Sequence, residues 1–93
     1  MQETRVNEYN LTAEKIPFQE KAIIEFNTLN NCKAMIKIMN NEEEVRLLMN
    51  EAIDTGKHTV VFDFSSLPKA IYTIKLIAET ETSIDKETIL IHI

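Results

Sequence analysis

The side chains that most often carry enzyme chemistry are scarce in this 93-residue chain. His58 and His92 are the only histidines, and Cys32 is the only cysteine. None of the three stands at a ligand spacing typical of a zinc site. No acid or histidine lies near Cys32 in sequence to activate its thiol. We therefore expect both histidines to be ordinary strand residues and Cys32 to be a small buried or half-buried side chain.

Acidic and hydroxyl residues offer two further candidates, each with a simpler interpretation. The run 42–44 is three glutamates that could bind a cation, although consecutive carboxylates in a turn are more often only solvated. Ser65, His58 and Asp63 have the residue types of a hydrolase triad, but closeness in sequence is not triad geometry. A short acid before two serines more often accepts backbone N–H groups in a turn. The sequence therefore predicts no catalytic residue, no metal site and no cofactor.

The composition limits the class of protein. A hydrophobic content of 44% with 27% charged residues is ordinary for a soluble globular protein, and the length suits a single domain over residues 1–93. The net charge of −5 argues against nucleic acid as a partner. No segment approaches the roughly 18–20 apolar residues of a membrane span, so we expect no membrane insertion. The start lacks a signal-peptide core, which leaves the compartment open: extracellular or cell-surface if a leader was removed.

Most of the chain alternates apolar and polar residues, which is the period of a β-strand. The clearest predicted strands are 21–28, 33–39, 59–64, 70–79 and 87–93. Turn residues separate them, at 30–31, 40–41, 65–68 and 79–86. A weaker first edge strand is predicted over 5–12, with a break at Pro17, since proline cannot donate to a central ladder.

Residues 42–54 are compatible with two local structures. Their apolar residues fall on one helical face, at Val45, Leu48, Met49, Ala52 and Ile53. Asn41 could cap such a helix and Gly56 would end it. On the local pattern alone, a helix is favoured over a strand.

A spaced set of residues runs through nearly the whole chain. It reads Tyr9-x-Leu11, Pro17-Phe18, Ile24-x-Phe26, Ile36-x-Ile38, Val45-x-x-Leu48, Gly56-x-His58-x-Val60-x-Phe62-Asp63 and Leu67-x-x-x-x-Tyr72-x-x-x-Leu76. Over about residues 9–93 this set resembles the Ig-like β-sandwich module shared by flagellar hook-capping proteins and the C-terminal sorting domains of type IX secretion cargo. The resemblance implies an all-β fold, a small Ig-like antiparallel β-sandwich of about seven strands. It makes 1–8 an N-terminal arm or edge strand, and it favours a strand and long turn over 42–54.

Three departures from the family pattern bear on turns and on function. Asn41-Glu42 stands where Asn-Gly is usual, Ala70 replaces the glycine before Tyr72, and no lysine follows Ile93. The lost glycines predict that both turns avoid positive φ. The missing lysine favours a structural role over a sorting signal.

The resemblance and the absence of catalytic residues favour a non-enzymatic interaction or structural module, which docks on or decorates a larger bacterial or phage assembly. The alternative is the C-terminal sorting domain of a type IX secreted protein, and a small enzyme is a third, least favoured class. The contact, with a protein partner or by self-assembly, would use an edge strand or an exposed apolar patch. Outward strand positions supply the candidates, which are Met35, Met39, Val61, Ile71, Ile77 and Leu90. We expect Met35, Met39, Val61 and Ile71 to share one face.

Overall fold

The computed structural model describes residues 9–93, so the predicted arm or edge strand at 1–8 lies outside the described residues. The described chain is all-β and contains no helix. Its strands are β1 (Thr12–Lys15), β2 (Lys21–Thr28), β3 (Cys32–Asn40), β4 (Glu43–Ile53), β5 (Gly56–Asp63), β6 (Ile71–Glu79) and β7 (Ile84–His92). The predicted small Ig-like antiparallel β-sandwich of about seven strands is confirmed.

Two antiparallel sheets form the sandwich. A three-stranded sheet has the order β1-β2-β5, and a four-stranded sheet has the order β4-β3-β6-β7. Since β2 pairs with β5 and β3 pairs with β6, the chain crosses between the sheets as in a Greek key. At the two open sides of the sandwich, β1 contacts β7 and β4 contacts β5.

The core lies between the inward faces of the two sheets. Its largest fully buried side chains alternate along β2, β3, β5 and β6, and they are Tyr72, Phe26, Phe62, Ile24, Ile36, Ile38, Ile74 and Leu76. The hydroxyl of Tyr72 donates to the carbonyl oxygen of Pro68 at 2.7 Å. A tyrosine near the start of the sixth strand, bonded to backbone a few residues upstream, is a feature of Ig-like sandwiches. The predicted burial of the central strands is confirmed.

Strand β4 occupies the segment whose local pattern favours a helix. It is a continuous strand of eleven residues, so the strand interpretation is confirmed, while the long turn and the helix are wrong. The pairing of β3 with β4 shifts register at two points, between Ile36 and Lys37 and between Ile38 and Met39. Each shift places an extra β4 residue opposite β3, which breaks the alternation of side chains. Two bulges therefore give a strand the apolar spacing of a helix.

The first and last strands differ from the predicted bounds. Residues 9–11 are not in a strand, because Asn10 has φ +49° and the chain enters β1 only at Thr12. At the other end β7 begins at Ile84, so the predicted loop over 79–86 is too long. The tip is the segment 80–83, in which the amide of Thr80 donates to the carbonyl of Ser83. The polar start of β7 reflects an edge strand facing water rather than a loop.

One of the two turns expected to avoid positive φ adopts it. Asn41 has φ +60°, which asparagine tolerates better than most side chains, so that prediction is wrong. Ala70 has no positive φ, and the prediction there is confirmed. Phe18 also has positive φ, at +64°.

Candidate interaction surface

The triad arrangement fails because β5 alternates its side chains. His58 points inward, where its ring stacks on Phe26 with centres 5.5 Å apart. Its Nε2 lies 2.7 Å from the carbonyl oxygen of Asp54, a hydrogen bond in which the imidazole N–H donates. Asp63 points outward on the same strand, and its Oδ1 accepts the backbone N–H of Ser65 at 3.0 Å, as predicted. That hydrogen bond is the main cause that lowers the pKa of the Asp63 carboxyl. Both side chains therefore support local structure.

The remaining chemical candidates are also dispersed. Cys32 is half-buried, and burial raises the pKa of its thiol, which favours the protonated form. Of the three glutamates, Glu44 pairs with Lys37 at 3.2 Å. Within residues 9–93, no group of three or more His, Cys, Asp and Glu side chains is placed to hold a metal ion.

Exposed large hydrophobic side chains are most numerous on the solvent side of the four-stranded sheet, which we call the outer face. It is defined by the residues that alternate with the buried positions in the pairing of the four strands. These are Glu44, Leu47, Asn50 and Ala52 on β4; Lys33, Met35, Lys37 and Met39 on β3; Ile71, Thr73, Lys75, Ile77 and Glu79 on β6; Ile84, Lys86, Thr88, Leu90 and His92 on β7.

The outer face brings together five of the six candidate contact residues. Met35 on β3 lies directly opposite Ile77 on β6. Thr73 on β6 lies between Met39 on β3 and Leu90 on β7, and it pairs with both. Ile71 lies opposite His92 at the start of β6. These five residues are spread over β3, β6 and β7 on one side of the sheet, with Lys37 and Lys75 between the Met35–Ile77 pair and the others.

Val61 does not belong to this set. It lies on β5 opposite Ile23, so its side chain is on the solvent side of the three-stranded sheet. The expectation that it shares a face with Met35, Met39 and Ile71 is wrong. Alternation along a strand separates inward from outward residues, but it does not tell which sheet the strand joins.

The outer face also contains apolar residues that the sequence analysis missed. The described residues include seven exposed large hydrophobic side chains, and Leu47, Ile71, Ile84 and Leu90 of the outer face are four of them. The helix-like spacing of β4 does not identify Leu47 as an outward strand residue, and Ile84 lies within the predicted loop 79–86. The wider concentration of apolar side chains favours a contact surface over isolated exposed residues.

A second exposed feature lies at the end of the sandwich where β1 turns into β2. The amide of Gln19 donates to the carbonyl of Ile16 at 3.2 Å, with Pro17 and Phe18 as the two central residues. Proline followed by positive φ is the pattern of a type II turn. Phe18 is fully exposed. It borders a cleft of about 390 Å³ lined mainly by loop residues and Phe64.

No protein-family model, curated protein sequence or solved structure matches the chain. The resemblance to the hook-capping and sorting-domain module therefore stays a prediction. The described part of the chain has no helix that is long and apolar enough to cross a bilayer. The geometry of the outer face is the main basis for a functional proposal.

Proposed function

We propose that this protein is a non-enzymatic binding module that docks on a larger bacterial or phage assembly through the outer face of its four-stranded sheet. The observation that carries the proposal is the position of the exposed apolar residues. Ile71 and Leu90 expose 54% and 65% of their surface, and they share the outer face with the half-buried Met35, Met39 and Ile77.

The fold supports this use of the face. The core is already filled from the inward sides of both sheets, so the outward apolar residues are not needed for burial within the sandwich. Antiparallel sheets commonly keep one face in water with polar side chains. Apolar side chains on that face stabilise the protein only when something covers them, which a partner would do. A stable contact of this kind buries about 1,200–2,000 Å² in total.

The test places charges at the two exposed apolar residues near the start of β6 and the end of β7. The double variant Ile71→Glu with Leu90→Lys should abolish recovery of a partner that co-purifies with the wild-type protein from its native host. The fold should remain, because both side chains point away from the core. A thermal melt of the isolated variant checks this, and a shift of more than a few degrees would show that the two residues support the fold instead.

Val61→Lys is the matched control. Val61 exposes 56% of its surface, close to the values for Ile71 and Leu90, but it lies on the other sheet. This variant should recover the partner as the wild type does. If Val61→Lys alone abolishes recovery, the contact uses the three-stranded sheet and the proposal is wrong.

A further inference from the structure

Positive charge is concentrated on the outer face of an otherwise acidic protein. Residues 9–93 contain nine Lys and Arg side chains, and the outer face has four of them: Lys33, Lys37, Lys75 and Lys86. It has only two of the thirteen Asp and Glu side chains, Glu44 and Glu79. The outer face therefore has a formal charge of +2, while the rest of the described chain has −6.

Lys75 is the unusual member of this group. It lies on the central strand β6, directly opposite Lys37 on β3, and it is half-buried. Lys37 forms a partly exposed ion pair with Glu44 on its far side, with Nζ and Oε1 3.2 Å apart. Within residues 9–93, Lys75 takes part in no ion pair. Like charges directly opposite each other destabilise a pair of strands, so the folded chain accepts a cost at this position.

The surroundings of Lys75 are suited to an acidic ligand with apolar side chains. On β6 it lies between Ile77, which pairs with Met35, and Thr73, which pairs with Met39. A ligand carboxylate beside Lys75 would offset its positive charge and so reduce the repulsion between Lys75 and Lys37. Neighbouring side chains of the ligand would then reach the methionines and Ile77. Complementary charge across an interface fixes its register and raises the rate of association.

We propose that the outer face binds an acidic, partly apolar segment of another protein, with Lys75 as the central partner of its carboxylates. This inference rests on the proposed function, since it names the chemistry of the partner that covers the same face.

The charge of the whole molecule favours such a segment over other occupants. Nucleic acid and anionic bilayers are extended negative surfaces, and the negative charge of the remaining surface opposes their approach. A two-fold pairing of outer faces from two copies would bring lysines close to lysines. A short acidic segment can instead contact the outer face without meeting the acidic surroundings.

The test uses the full chain, labelled with ¹⁵N, and a short soluble peptide of Glu and Leu residues as the probe. A second peptide has Gln at each Glu position. We expect the acidic peptide to move the amide signals of residues 35–39 and 73–77, and to bind about tenfold more tightly than the Gln peptide. Lys75→Glu should weaken binding about tenfold. Lys75→Met should also weaken binding. This variant removes the repulsion between Lys75 and Lys37, so we expect it to stay folded, and its loss of binding would not be caused by unfolding.

Lys69→Glu is the charge-matched control, because Lys69 is an exposed loop residue before β6 and is not part of the strand pairs that form the outer face. It should change the affinity less than about twofold. The inference is overturned if neither peptide binds, if the signals that move lie elsewhere, or if the Lys75 variants bind as the wild type does. Tighter binding of phosphatidylserine vesicles or of a short DNA duplex would also overturn it, as would self-association through the outer face in sedimentation.

Equal binding of the two peptides separates the two proposals. That result would overturn the acidic partner but leave the outer face as an apolar contact surface. The proposed function itself would be wrong if the Ile71→Glu and Leu90→Lys double variant recovered the same partner as the wild type.

Discussion

At the scale of single residues, Phe18 is the clearest conflict between side chain and backbone. It has φ +64° at the third position of the Ile16–Gln19 turn, where glycine or asparagine is usual. Its ring is fully exposed and contributes no burial to the core. Strained positions of this kind persist where the surrounding structure enforces them, and they cluster at functional surfaces.

Phe18→Gly should therefore stabilise the fold, by about 1 kcal/mol, because glycine adopts positive φ without the clash of a Cβ atom. The free energy of unfolding from urea titration measures this. Leu29→Gly is the control: Leu29 is also exposed but has no positive φ, so this change should not stabilise. If Phe18→Gly destabilises the protein as much as Leu29→Gly does, the Phe18 ring contributes to stability in solution.

At the scale of elements, the alternation in β2, β3 and β6 predicts both their bounds and their buried faces. Ala34, Ile36 and Ile38 are all fully buried as expected. β4 could not be predicted from its own residues, since its alternation is interrupted at points set by pairing with β3. The start of β7 was missed because an edge strand tolerates the same polar residues as a loop.

The bulges in β4 also determine which side of the sheet Arg46 faces. Arg46 lies opposite the buried Ile38, so it points to the inward side of the sheet at its edge. From there its guanidinium donates to the carbonyl of Asp63 at 3.0 Å and to the hydroxyl of Ser66 at 3.1 Å. It also lies 6.0 Å from the centre of the Phe62 ring. Arg46 therefore links the edge of the four-stranded sheet to the end of β5.

Arg46→Met should cost about 1–2 kcal/mol of unfolding free energy, because it removes two hydrogen bonds from a charged donor and the ring contact while keeping the aliphatic stem. Lys57→Met is a fair comparison, since it removes an exposed pair with Glu25 at 3.7 Å, which we expect to be worth less than about 1 kcal/mol. Chemical denaturation of both variants measures the difference. Equal costs would show that Arg46 does not link the sheets.

At the scale of the whole molecule, the sandwich has two open sides, and a side chain spans each. Arg46 lies on the side where β4 meets β5. On the opposite side, where β1 meets β7, the hydroxyl of Tyr9 donates to Oδ2 of Asp85 at 2.7 Å. Neither side chain is on the outer face, so these two links and the proposed contact use separate residues. We therefore expect substitutions on the outer face to leave the fold intact.

The two links should act independently, because they lie on opposite sides of the core and share no partner. Tyr9→Phe removes only the hydroxyl and should cost about 0.5–1 kcal/mol, the low end of the range for a hydrogen bond, because water can replace this exposed one. Combined with Arg46→Met, the two costs should add within about 0.5 kcal/mol. A double-mutant cycle by urea denaturation measures this. A coupling energy above about 1 kcal/mol would mean that opening one side of the sandwich loosens the other, and that the two sheets do not pack as a rigid pair.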